Sequence, residues 1–215
     1  MTLRNIAAQL PRQRGLLHTL AGLARRPGQV ILRYLDGHRV EFANPLNLLT
    51  LTAGFAALLY TNHRFDLTPL LAGLAPDTLA TQSRLLNFQF KYRTLLQVLD
   101  LPLLAAITWL LFRGRGRGYA EHLVINAYSM SAVNILYLLL FVVLLGVDGT
   151  PAFRIAWVVG SVVPFAYKAG VLYAVFAGTG RRWRAALLAL AATAFAVGLQ
   201  IALMTAIATW AIAPI

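Results

Sequence analysis

Apolar residues in this chain gather into five long runs, at about 45–60, 95–112, 122–147, 155–178 and 185–212, divided by short polar or basic stretches. A helix needs about 20 mostly apolar residues to cross the hydrocarbon core of a bilayer. The pattern therefore predicts an all-α, polytopic membrane bundle of five transmembrane helices. The first run is short unless residues from Phe42 contribute, and the third is long enough to tilt. Residues 61–93 read as an outer loop carrying a small helical cap. Helix starts are expected there at Thr68-Pro69 and Pro76-Asp77, with Leu79, Ser83, Leu86 and Phe90 on one face.

Residues 1–44 do not span. Leu16, Leu17, Leu20, Leu23 and Ala24 fall on one helical face, opposite His18 and Arg25. Pro27 is placed to begin a second helix, where Val30, Ile31 and Tyr34 repeat the pattern before a turn at Asp36-Gly37. Two basic amphipathic helices follow, lying in the membrane interface or docked on the protein's own cytoplasmic face. Arg4, Arg12 and Arg14 precede a stretch broken by His18, Arg25, Arg26 and Pro27, which is no cleavable signal peptide. The organisation is an N-terminal basic segment, 1–44, and a membrane domain, 45–215.

Charge sets the orientation. With the N-terminus inside, segments 1–44, 113–121 and 179–184 hold 13 Lys and Arg residues, against five in 61–94 and 148–154. Basic residues stay on the cytoplasmic side, so the expectation is N-in and C-out, with Lys91 and Arg93 snorkelling from the start of the second run. The net charge of +12 then belongs beside the spans, where anionic lipid is the expected partner and nucleic acid is not. Only 12% of the 215 residues are charged and 59% are hydrophobic, far from a soluble composition. With no cysteine, thiolate metal sites, disulfides and cysteine nucleophiles are excluded.

Ionisable groups inside a span warrant a functional hypothesis. Lys168 and Asp100 are the two here, separated in depth by about 11 Å at 1.5 Å per residue. They form either a coupling pair for protons or ions, or two locally satisfied charges. The fourth run is also the weakest to insert: its apolar residues contribute roughly −3 to −6 kcal/mol, while one central lysine costs about 2.5 to 3.5. It needs neighbours. Ala166, Gly170, Ala174 and Gly178 recur every four residues, as do Ala194, Gly198, Ala202 and Ala206, so the fourth and fifth spans are expected to pack along these stripes. Lys168, about 160° around the helix from Ala166, would then face away from the fifth span.

His122, Asn126, Ser129 and Tyr137 share one face of the third span, flanked by Asn134 and interrupted by Val133. Such a polar stripe is interhelical hydrogen-bond glue, the lining of a cavity, or less often catalytic. Glu121 with His122 is an incomplete zinc set. The Arg-Gly alternation at 113–118 lacks the strand a dinucleotide loop requires and reads as a charged cytoplasmic turn. No catalytic set, cofactor or metal site is complete, and a non-enzymatic role is expected.

The stretch RRPGQVILRYLDGHRVEFANPLNL at 25–48 and the stretch YAEHLVINAYSMSAV at 119–133 resemble an uncharacterised bacterial membrane family, domain of unknown function 3667. Arg26, Pro27, Gly28, Tyr34, Gly37, Arg39, Pro45, Tyr119, Glu121 and His122 are the matching positions. The resemblance implies a bacterial inner-membrane protein but no activity. Many members of that family begin with a cysteine-rich zinc ribbon, which this cysteine-free chain lacks. The matched positions gather Arg26, Arg39, Glu121 and His122 at the cytoplasmic face, where Arg39 and Glu121 are expected to pair. The leading expectation is a membrane scaffold or a lipid- or protein-binding component, with a protein partner or homo-oligomer open. A small transporter or channel subunit using Lys168, Asp100 and the third-span stripe is the alternative.

Overall fold

A computed structural model describes residues 11–212, with side chains throughout except at 11–14, 93–97 and 211–212. The reading of Arg4, Arg12 and Arg14 at the N-terminus and the snorkelling of Arg93 lie outside the described residues. Among the described residues seven α-helices follow in chain order: α1 (Pro11–Arg25), α2 (Pro27–Leu35), α3 (Pro45–Asn62), α4 (Pro76–Leu111), α5 (Tyr119–Gly146), α6 (Ala152–Phe176) and α7 (Arg182–Ile212). Four stretches among the described residues are long and apolar enough to cross a membrane: Arg39–Asn62, Tyr119–Gly146, Ala152–Thr179 and Arg182–Trp210. The protein is a helical membrane protein.

Helix α4 departs from expectation. It is one helix of 36 residues, about 54 Å long, in which only Val98–Leu111 is a short apolar stretch. The helix expected to start at Pro76-Asp77 in the outer loop 61–93 is there, but it runs without a break into the second apolar run. Pro76 occupies the first turn with Asp77, where a missing N–H and a negative charge are both favourable. Between Pro76 and Pro102 there is no proline or glycine to stop the helix. The expected start at Thr68-Pro69 forms only a turn.

Helix α5 is the axis of the bundle and packs against α3, α4 and α6, while α7 lies against α4 and α6. Its middle is buried on all sides, from Ile125 through Asn134. Helices α1 and α2 dock onto one end. Leu23, Ile31 and Tyr34 join Tyr128 of α5 and Leu172 and Phe176 of α6 in one cluster, and this is the docked alternative of the two anticipated. The buried face of α1 is narrower than the sequence pattern, since Leu17 is 71% exposed. Thr19 instead enters the interior and accepts a hydrogen bond from the Ala43 N–H at 2.8 Å. Gly28 permits the contact with α6, because a Cβ there would sit 2.6 Å from that of Ala174. Gly37, at φ 105°, makes the expected turn after α2.

The small-residue stripes are the clearest correction. Helices α6 and α7 do pack together, but Ala166, Gly170, Ala174 and Gly178 are exposed, as are Ala194, Gly198, Ala202 and Ala206. The interior instead receives Ala185, Ala189, Ala192 and Ala196 of α7 and Ala169 and Leu172 of α6. Periodicity could not choose between two alanine faces of one helix. The lysine chose for α6: the expected stripe lies nearly opposite Lys168, and turning the charge inward turns the stripe outward.

Candidate intramembrane cavity

The end of the bundle carrying α1 and α2, termed here the clasp end, is joined by hydrogen bonds to backbone. Tyr128 donates to the Ala43 carbonyl at 2.7 Å and Tyr167 to the Leu23 carbonyl at 2.8 Å. Arg115, in the Arg-Gly turn, donates to the Phe176 carbonyl and to Thr179, both at 3.3 Å. The expected ion pair between Arg39 and Glu121 is absent. Glu121 accepts from Arg117 at 2.7 Å and from the Gly118 N–H at 2.7 Å, capping α5, while Arg117 reaches Asp36 at 3.4 Å. Hydrogen bonding to Glu121, and then to Asp36, pushes the Arg117 guanidinium above its already high ordinary range. Arg39 lies over the Tyr34 ring at 5.9 Å. Arg26 precedes α2 without a side-chain capping bond, and Glu41 pairs with Arg33. The Arg39 pairing failed because Arg117, four residues before Glu121, meets it within one turn.

Above this end the polar stripe of α5 runs through the interior. His122, Asn126, Ser129 and Asn134 are all within 1% of complete burial. Thr108 of α4 supplies one hydroxyl to both His122 Nδ1, at 3.1 Å, and Asn126 Nδ2, at 2.8 Å. Asn134 donates to Thr52 of α3 at 3.4 Å. The His122 ring also stacks on Phe176 at 5.3 Å. These contacts are interhelical glue, as one expectation had it. They leave His122 Nε2, Asn126 Oδ1, Ser129 Oγ and Asn134 Oδ1 without hydrogen-bond partners.

Farther along, α4, α5, α6 and α7 surround a cavity of about 540 Å³. It falls within the range of roughly 300–1,000 Å³ common to small-molecule sites. Lys168 lines it and is the only charged side chain among the described lining residues. Among the described residues it makes no direct ion pair or hydrogen bond. Asp100 is near enough to act on it electrostatically but does not bond to it. Lys168 therefore does not face away from the fifth span as expected, because α7 forms part of the wall of the same cavity. Tyr137 lines the same space, and Val133 with Met130 separates it from Asn126 and His122.

Three polar lining residues had not been singled out in the sequence. Gln200 of α7 presents an Nε2 with no partner. Gln89 of α4 donates to Thr205 at 3.2 Å, and Ser161 donates to the Trp157 carbonyl of its own helix at 2.9 Å. Gln200 could have been found, since a lone glutamine in an apolar run is as conspicuous as the lysine. Gln89 could not, because residues 61–93 read as an outer loop. The remaining wall is apolar, with Phe90 and Trp157 in contact at a ring distance of 4.7 Å.

Fold and cavity together define a helical membrane protein with an internal, mainly apolar site. Residues 13–56 match the family model described as protein of unknown function (DUF3667), and the chain is similar to that family over α1, α2 and most of α3. The stretch 119–133 lies outside the matched residues. In space the two stretches meet, through Tyr34 against Tyr128 at 5.3 Å and Arg117 between Asp36 and Glu121. No curated protein and no solved structure matches the chain.

Proposed function

We propose that this is a five-span protein of a bacterial inner membrane, N-in and C-out, which acts by binding a lipid-like molecule rather than by catalysis. The single observation that carries the reading is the cavity: an apolar chamber among four helices, with one unpaired cation in its wall. A charge in an apolar wall without a direct partner costs stability, and such groups persist where they meet a ligand or a pathway. Helix α4 serves as the fifth crossing, because it packs along α5 and α7 and is about 54 Å long. The excess of basic residues at the clasp end supports its cytoplasmic location and contact with anionic lipid heads.

The test is native mass spectrometry of the purified protein, comparing wild type with Val133→Trp, which fills the cavity from α5. A retained lipid-like mass in wild type that disappears in the variant supports the reading. A bare wild-type protein, or the same adduct in both, refutes it. Reporter fusions at residues 114 and 182 should both report the cytoplasm, with a fusion at 149 outside.

A small transporter is the second reading. It is favoured by the partnerless polar atoms of His122, Asn126, Ser129 and Asn134, which descend α5 toward the cavity. It requires Lys168→Ala to abolish solute flux in vesicles while insertion persists.

A further inference from the structure

The chemistry of the cavity wall specifies its occupant more narrowly. Resting on the cavity-binding reading, we infer that the ligand is a single-chain amphiphile with a carboxylate head, held by Lys168 and Gln200. Its chain would lie along the apolar wall toward Phe90 and Trp157.

Several observations converge. Lys168 is a cation that no described side chain pairs directly, and Gln200 adds an amide donor whose Nε2 is buried without a partner. Both lack an acceptor, and a carboxylate offers two oxygens. Charge-assisted bonds of that kind are the stronger class of hydrogen bond. Asp100 stands close enough to offset part of the lysine's charge. The site therefore suits one negative charge, and a phosphomonoester, with about −1.5 to −2 at neutral pH, suits it poorly.

Size and access complete the argument. The volume of about 540 Å³ accommodates one chain rather than a two-chain phospholipid. Val162 of α6 and Ile201 of α7 line the cavity and are more than half exposed, at 58% and 57%. They form an apolar lip that faces the surrounding bilayer in the proposed topology. A ligand entering between them comes from lipid, and a small water-soluble carboxylate has no apolar surface to spend there. Along α6, the lysine sits at the clasp-side limit of the cavity and Trp157 at the opposite limit, which orders head and tail.

Equilibrium binding of radiolabelled oleate and oleyl alcohol, which share a chain but differ in head charge, tests the inference in purified full-length protein. Wild type should bind oleate at least about tenfold more tightly than the alcohol. Lys168→Met should abolish that preference while keeping alcohol binding, which also certifies that the cavity is folded. Lys168→Arg should retain the preference, and Gln200→Leu should weaken it. Equal affinities in wild type, or a preference that survives Lys168→Met, overturn the carboxylate head and leave the cavity reading standing. Tighter binding of a lysophosphatidylglycerol than of oleate overturns it in favour of a phosphodiester head. Competition by acetate as effective as by oleate overturns the amphiphile. If Val133→Trp binds both probes as wild type does, the cavity reading itself fails. If wild type binds neither probe, the inference fails, and the mass-spectrometric adduct decides the cavity reading separately.

Discussion

Both ends of the bundle use a tyrosine bond to backbone, as Tyr60 donates to the Tyr137 carbonyl at 2.9 Å at the far end, but they differ in the contacts around it. At the clasp end, tyrosine hydroxyls and arginine guanidinium groups reach backbone carbonyls and carboxylates across helices: Tyr128 to Ala43, Tyr167 to Leu23, Arg115 to Phe176 and Arg117 to Asp36. At the other end, Tyr60, Phe65, Phe90 and Phe141 pack ring against ring at centroid distances of 4.9 to 6.4 Å. A hydrogen-bond contact joins them there, between His63 Nε2 and Asp148 Oδ2 at 3.3 Å. Asp148 also accepts from the Asp66 N–H at 2.9 Å, and hydrogen bonds from Thr68 hold the Asp66 carboxyl below its usual range. Directed hydrogen bonds define one geometry, whereas ring contacts tolerate adjustment. The cavity begins among those rings, at Phe90 and Trp157, and ends toward the clasp at Lys168. A cavity so placed has an adaptable wall at its ring end and a more fixed one toward the clasp.

This contrast can be broken by mutation, and the largest effect is expected at the ring end. Phe65→Ala should cost about 3–5 kcal/mol in thermal unfolding of the detergent-solubilised protein, because Phe65 touches Tyr60, Phe90, Phe141 and Phe153. Phe65→Leu should cost less than about 1.5 kcal/mol if these contacts are adaptable. A leucine as harmful as the alanine would erase the distinction between the ends. Next in size is Gly28→Leu, expected to cost about 1–3 kcal/mol or to release α2 from α6, since its Cβ would meet Ala174 at 2.6 Å. Protease accessibility of residues 26–38 should rise with it. Unchanged protection would mean that α2 is held elsewhere.

Smaller effects sharpen the polar side. Tyr128→Phe keeps the ring and removes only the bond to Ala43, so a loss of about 0.5–1.5 kcal/mol is expected. No change in melting temperature would make the clasp a matter of apolar packing alone. The pair of Arg117 with Asp36, at 3.4 Å and with Asp36 more than half exposed, should be worth only about 0.2–1 kcal/mol. Asp36→Arg combined with Arg117→Asp should recover part of what either change loses. The reversal also disturbs the Arg117 bond to Glu121, so recovery is expected to be incomplete.

The helices themselves were legible because helix signals are local. Pro27, Pro45 and Pro76 each stand in the first turn of a helix, and Asn44 caps α3 by accepting from Leu46 and Asn47. The stripe on α5 was legible for the same reason, since residues sharing one face of a single helix share it in any fold. What those residues touch was not. Thr108 and Thr52, which accept from the amide nitrogens of the stripe, come from α4 and α3, and no spacing within α5 points to them. Glu121 illustrates the limit well. Its partner was sought across the chain at Arg39, while the actual partner stood four residues away and Asp36 joined from α2.

Length, hydropathy and the placement of arginines required a helical membrane protein with an N-terminal amphipathic segment, because each helix must satisfy its own backbone within lipid. They also required that Lys168 be unusual, since a charge inside an apolar run is costly in any arrangement. Which side of α6 faces inward was settled only by assembly. Small residues lie on two faces of α7, and packing buried one of them, left the stripe of α6 outside, and brought Lys168 and Gln200 to the wall of one cavity. A helix carries its own hydrogen bonds but not its neighbours, so a cavity among four helices exists only where all four meet.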